Sequence, residues 1–505
     1  GSRGLEYRIE GDPAVLVGIG TCTDKEIIVA STYNGLPVTA IGRKAIYSLD
    51  GITRVVISDT VTHLDYMAIA WCSDLESIHI PANLTTMEEY AIIAFGNIRS
   101  ITVDPNNPNY YSVNNCLINR ETKALILGCD TSIIPTDGSI SAIAPKAFMM
   151  CDGIESITIP EGVTKIGEDA FYDCSALKSI ELPESLITID SSAFANCSSL
   201  QNVKLGGKVE YMGDYVFSEC VKLGEIIIPD SLSFLGDYAF QGCTALKHAV
   251  LSSNLETLAL MIFASCTNLE DVIIPEGVKT ISTDAFSNTA LKELKLPASI
   301  KVIRHGAFEY CDNLMNVSYA GTVTQWIAVE KDIGWHTVGT FKEIRCSDGV
   351  MKLYSDSKDE GSLGLEYEIN TDCKSARLIG EGICTDAKII VASKFHGLPV
   401  TEIYSVALSN CDFIEEIVIP EGVTVIRNQA FYRCVNLKKI TLPSTLEYIY
   451  DSAFADCESL VSIVIPREVK LIETWAFRDC KNLTKFTFAG TVAEWNAVQK
   501  GLGNN

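Results

Sequence analysis

The chain has 505 residues of which 47% are apolar, more than one compact core usually holds, so either several domains or an elongated repeat array is expected. Its 64 acidic against 40 basic residues give a formal charge of −24, which opposes phosphate backbones and anionic membrane surfaces and argues against nucleic acid as a partner. No stretch approaches the roughly 20 consecutive apolar residues of a membrane-spanning helix, and no leader pattern opens the chain.

In chain order, the first segment is LEYRIEGDPAVLVGIGTCTDKEIIVASTYNGLPVTAI, from Leu5 to Ile41, which reads as strands and turns. A weak repeat follows, with Cys72 beside AIAW and then IHIP from Ile78 to Pro81. Between Asp104 and Ile134 the rhythm breaks, and two apolar strands around a polar turn at Asn119–Lys123 predict a β-hairpin carried by one repeat. A strict repeat then sets in. Cys151, Cys174, Cys197, Cys220, Cys243 and Cys266 are 23 residues apart, and Phe148, Phe171, Phe194, Phe217, Phe240 and Phe263 keep the same step. The next unit has Ser287-Asn288-Thr289 in place of its cysteine, and Cys311 restores the pattern.

The ending AGTVTQWIAVEK at Ala320 recurs as AGTVAEWNAVQK at Ala489, and the opening segment recurs from Leu365 to Ile403. Two modules are therefore expected, each with a strand-rich N-terminal cap, an array and a Trp-bearing C-terminal cap, because an uncapped rung exposes apolar side chains and unpaired backbone. The boundaries read from the sequence are a first cap at 1–38, an array at 39–319 with its insertion at about 104–134, and a C-terminal cap at 320–354. A polar linker at 355–363 leads to a second cap at 364–397, a second array at 398–488 and a final cap at 489–505.

One unit shows the physics. In LKSIEL, Leu177, Ile180 and Leu182 are expected to point inward while Ser179 and Glu181 alternate outward, and Pro183 ends the strand by removing a donor. Leu186 and Ile189 fill the interior from a second extended segment, and Ala193-Phe194 closes the coil. One rung cannot bury its apolar face, so rungs stacked about 4.8 Å apart must build the core together.

The pattern (A/I)F-x-x-C-x-x-L-x-x-I-x-(I/L)P, the NNPNYYSVNN hairpin and the AGTV-x-x-W ending resemble the BspA-like leucine-rich-repeat family of bacterial surface proteins over nearly the whole chain. The resemblance implies a mostly β leucine-rich-repeat solenoid, with short parallel strands on one face and irregular or short helical turns on the other, arranged here as two capped arrays. It also implies a cell-surface or secreted location and, for some members, adhesion to host proteins or other cells. It supplies no catalytic residues.

Of 18 cysteines, twelve hold the repeat position. Parallel Cβ vectors on adjacent rungs would strain a disulfide, and without a CxxC pair there is no zinc signature, so buried, reduced, structural thiols are expected. The six histidines are scattered, and nucleophile, phosphate-loop and metalloprotease motifs are absent. DPNNPN at Asp104 lacks the alternating carboxylates of a calcium loop and reads as a turn. No catalytic residue, metal or cofactor is therefore assigned.

Register narrows the binding surface. One outward column places Glu225, His248 and Asp271 on successive rungs, and a second places Ile227, Val250 and Ile273 beside them. An apolar strip rimmed by charge fits a site for a protein or glycan ligand, although β-branched residues also simply pack well along a parallel ladder. The expectation is a non-enzymatic protein of adhesion or recognition. A structural spacer displaying another domain, and a glycan hydrolase, stand as alternatives.

Overall fold

A computed structural model describes residues 1–93, 97–332, 334–336, 340–354 and 361–502. Most of the expected linker, 355–360, lies outside them. The chain divides into two compact units, Gly1–Lys292 with Val302–Asn313, and Glu293–Lys301 with Leu314–Asn505. Each is a solenoid of short strands with very little helix.

In the first unit, an antiparallel pair (Glu6–Ile9 with Ala14–Gly18) opens the stack and passes to the parallel strand Leu36–Ile41. Each later rung then repeats one itinerary. A strand such as Ser179–Glu181 pairs in register with its equivalent Asn202–Lys204, with Ile180 buried and both neighbours outward. A two-residue strand, Thr188–Ile189, sits between Lys165–Ile166 and Tyr211–Met212 in a second parallel ladder. The third side of the coil is a tight turn rather than a helix. Ser192, Phe194 and Asn196 donate their amides to the carbonyls of Asp214, Val216 and Ser218 one rung on, at 2.8, 2.9 and 2.8 Å. Ser192 and Asn196 hold left-handed backbone, as do Asp169 and Asp173 one rung earlier. Short polar side chains tolerate that conformation best.

The core is a set of files. Phe148, Phe171, Phe194, Phe217, Phe240, Phe263, Phe286 and Phe308 stack with ring centroids 5.0–5.8 Å apart. Beside them runs the thiol file. Cys174, Cys197, Cys220, Cys243 and Cys266 donate to the carbonyls of Phe148, Phe171, Phe194, Phe217 and Phe240 at 3.1–3.2 Å. None of the 18 cysteines is bridged. Where the cysteine is missing, Thr289 is buried in its place, its hydroxyl donating to the Phe286 carbonyl at 3.0 Å and lying 3.2 Å from Cys311 Sγ.

The insertion is larger than a hairpin. Tyr110–Val113, Cys116–Asn119 and Ala124–Leu127 form a three-stranded antiparallel meander that rejoins the parallel ladder at Ala142–Ile143. The additional strand turns at Asn114 and Asn115, both with positive φ as such a tight connection requires. DPNNPN is a turn. Asp104 accepts the Asn106 amide at 2.8 Å, and buried Asn107 donates to the Pro81 and Leu84 carbonyls.

The second unit repeats the opening. Glu366–Ile369 pairs antiparallel with Ala376–Gly380, with a register shift after Glu366 that matches the one after Glu6. In both copies the tyrosine hydroxyl accepts an amide, Tyr7 from Ala30 at 3.0 Å and Tyr367 from Ala392 at 2.8 Å. The Trp-bearing endings form short helices, Val323–Ile327 and Val492–Ala497, each opened by a Thr capping box.

Candidate interaction surface

Strands Glu225–Ile227, His248–Val250 and Asp271–Ile273 form a three-stranded parallel sheet in the first unit. Their central residues Ile226, Ala249 and Val272 are buried. Alternation therefore turns the flanking residues outward. The register aligns Glu225 with His248 and Asp271, and Ile227 with Val250 and Ile273. The strip is uneven: Ile227 is 60% exposed and Ile273 50%, while Val250 is half-buried between them. In the charged column, His248 Nδ1 lies 2.9 Å from Asp271 Oδ2.

A shallow concavity of about 550 Å³ adjoins the strip, lined among others by Glu181, Asn202, Lys204, Glu225 and Ile227. It lies where the ladder is interrupted, since Ser179–Glu181 and Asn202–Lys204 make one sheet and Glu225 begins the next. Gly206-Gly207 replaces the Pro183-Glu184 of the preceding rung, and a Cβ on Gly206 would collide with the Pro183 carbonyl. Glu181 and Lys204 form an ion pair on the floor's rim. Column reading finds Glu181 and Lys204 but not the groove. In the second unit the matching column reads Ile390, Val418 and Thr441, so a hydroxyl interrupts the apolar run.

A different site lies in the second unit, a cavity of about 820 Å³ whose lining includes Lys331, His336, Glu366, Glu368, Arg377 and Tyr404. Its charges are engaged with one another. Arg377 donates to Glu368 at 2.6 Å, Lys331 Nζ lies 3.7 Å from Glu368, and Lys331 also donates to the Val329 carbonyl at 2.6 Å. Burial lowers the Lys331 pKa, with Glu368 opposing the shift. The sequence signal is the change from Arg8 and Val15 in the first cap to Glu368 and Arg377, which face each other across the strand pair.

One group among the described residues could share a cation: the ligand atoms of His63, Asp65 and Glu88 lie within 4.8 Å of one another. All three are partly exposed, and Glu88 also accepts the Tyr66 amide at 2.7 Å. No helix among the described residues is long and apolar enough to cross a membrane.

A family model described as a BspA type leucine rich repeat region matches residues 24–119, 127–247, 235–326 and 401–497, in six copies. Solved structures similar to this chain include a leucine rich cell surface protein of Faecalibacterium prausnitzii A2-165, 22% identical, covering 78% of this chain and 98% of that one, with a TM-score of 0.35. A leucine-rich repeat protein of Bacteroides ovatus is 19% identical over 99% of this chain and 89% of its own, with a TM-score of 0.32. A leucine rich repeat protein of T. pallidum is 28% identical over 35% of this chain and 85% of its own, with a TM-score of 0.30. Comparison with curated proteins gives no match.

Proposed function

The chain belongs to the BspA-type leucine-rich-repeat family, and from that premise we propose that it is a non-enzymatic binding protein, exposed at or secreted from a bacterial cell surface. Its ligand is a protein of a host or neighbouring cell, gripped by the strip Ile227, Val250 and Ile273 and oriented by Glu225, His248 and Asp271. The observation that carries this reading is two strongly exposed isoleucines on one parallel sheet, aligned in register beside a charged row and next to a groove. Apolar anchors rimmed by charge and held on a preformed surface suit protein recognition, since little ordering is needed on binding. The strict rung spacing supports a scaffold role, in which strands display side chains and the chemistry stays in the surface.

The test is a surface-binding screen against extracellular-matrix and cell-surface proteins, with Ile227→Glu/Ile273→Glu as the discriminating variant. Affinity is expected to fall at least tenfold with a change in unfolding free energy of no more than about 0.5 kcal/mol, because both side chains are largely solvated. Undiminished binding by that variant removes the strip from the proposal. A chain that binds nothing in the screen is better described as a spacer.

A further inference from the structure

Parallel, in-register stacking sets each outward side chain over its counterpart one rung on, so acids that follow one another in a column repel unless something intervenes. Two devices intervene in this chain. A lysine stands one rung from a glutamate in pairs such as Lys178–Glu155 and Lys439–Glu416, with Nζ–O separations of 2.7 and 2.9 Å. Where acid follows acid, the backbone answers: Asp214 accepts the amide of Asp237, and Glu161 that of Glu184, each at 2.9 Å.

Asp65 and Glu88 are surrounded differently. They follow the paired strands His63–Leu64 and Thr86–Met87, whose register puts Glu88 one rung beyond Asp65. Among the described residues no lysine or arginine pairs with either carboxylate. Arg43 stacks on the Tyr66 ring, 5.0 Å from its centre. What faces the two acids is an imidazole, His63 Nε2 lying 2.9 Å from Asp65 Oδ1 and 3.8 Å from Glu88 Oε1. Glu88 Oε2 accepts the Tyr66 amide at 2.7 Å, which holds the carboxylate with its other oxygen toward His63. On the rung before, Gly42 brings no side chain, and a Cβ there would already come within 3.8 Å of Asp65 Oδ2. Three donor atoms therefore converge on one another, and all three residues are partly open to solvent.

The second unit fills the same place from within. In its matching rungs Tyr404, Arg427 and Tyr450 stand where the first unit has Gly42, Asp65 and Glu88, and Val425 stands for His63. The Arg427 guanidinium pairs with Glu402 and lies 5.1 Å from the centre of the Tyr450 ring. There the chain provides its own cation, whereas in the first unit it provides ligands.

We propose that His63, Asp65 and Glu88 form a binding site for a divalent first-row transition ion, held through the imidazole Nε2 and one oxygen of each carboxylate, with water on the open side. The donor set selects the class of ion. Two carboxylates draw a divalent cation, and an imidazole lone pair favours a transition metal over Ca2+ or Mg2+, which take oxygen ligands. The Tyr66 amide on Glu88 is the kind of outer contact that orients a ligating carboxylate. A bound ion joins His63–Leu64 to Thr86–Met87, the last two strands of their sheet, and so clasps the array beside its insertion, where the Met87 amide donates to the Tyr110 hydroxyl at 3.0 Å. This site is separate from the strip assigned to ligand recognition and stands or falls independently of it.

The probe is MnCl2 titrated into the metal-free full chain, with free Mn2+ read by electron paramagnetic resonance; thiols compete poorly for this ion, so the cysteines stay out of the measurement. One saturable site per chain is expected, weakened about tenfold or more by His63→Ala and by Glu88→Gln. Asp65→Arg, which imports the arrangement of the second unit, is expected to abolish binding while circular dichroism and the metal-free unfolding midpoint report an intact fold. CaCl2 is expected to compete for the site at least tenfold more weakly than Mn2+ binds it, a control that leaves the protein unaltered. Binding undiminished by His63→Ala overturns the proposal, because the acidic surface alone then accounts for it. So does equal competition by Ca2+, and so does the lack of saturable uptake up to millimolar Mn2+.

Discussion

Each thiol of the regular file reaches back to a phenylalanine carbonyl on the rung before it, so the side chain satisfies a backbone acceptor inside the core at the volume of a small apolar group. Thr289 departs from this pattern, since its hydroxyl donates to the Phe286 carbonyl of its own rung, the same carbonyl that Cys311 reaches from the rung after. Burial pushes the Cys197 and Cys434 thiols up to about 12, and the buried neighbours of Cys197 move the same way. Two outcomes follow for the native protein. At pH 8, iodoacetamide is expected to label exposed Cys373 first and leave the buried file untouched until denaturant is added, as read by peptide mass spectrometry. Because these folded-state pKa values lie above those of the unfolded chain, the unfolded state loses protons first as pH rises. Stability is therefore full below about pH 9 and falls from there towards pH 12, by up to about 1.4 kcal/mol per pH unit for each such thiol. Guanidinium midpoints measured from pH 7 to 10.5 check this; a flat profile would show that the thiols titrate alike in both states.

At the scale of single elements, the rung itinerary was legible because two periods are superimposed, 2 within a strand and 23 between rungs. Ile180 in and Ser179 and Glu181 out is the pattern observed, and so is the outward placement of Ile227 and Ile273. What the repeat could not give is what departs from it. The strand Tyr110–Val113 lies in the insertion, where the 23-residue rhythm breaks and no neighbouring rung offers a template for it. The groove beside Ile227 was missed because a column reading assumes an uninterrupted ladder, whereas the ladder breaks between Asn202–Lys204 and Glu225–Ile227. The Glu368–Arg377 pair was missed because its meaning emerges only when the two caps are laid on each other. Gly206→Ala tests the close approach of this rung to the one before it. It should cost about 1–3 kcal/mol through the clash with Pro183, by thermal or chemical unfolding, and should change ligand affinity if the groove serves recognition. A neutral substitution would mean that the backbone there yields freely.

For the molecule as a whole, the formal charge of −24 is dispersed over the rungs, and part of it is offset by lysines one rung from a glutamate, as in Lys178–Glu155 and Lys279–Glu256. Pairs this exposed contribute little each. The net field is the larger matter, and retention of duplex DNA in a gel-shift assay at 0.15 M salt is expected to be nil, whereas a firm complex would contradict the sign of the surface potential. The back-reaching thiol bears on something else again. Because Cys197, Cys220, Cys243 and Cys266 meet their predecessors through the same bond at nearly the same length, the core side of one junction matches the next even where the outer strand ladder breaks. Recombination that duplicates or excises 23 codons within this file would keep the thiol bond at the seam, so whole rungs can be added or removed without redesigning that part of the interior.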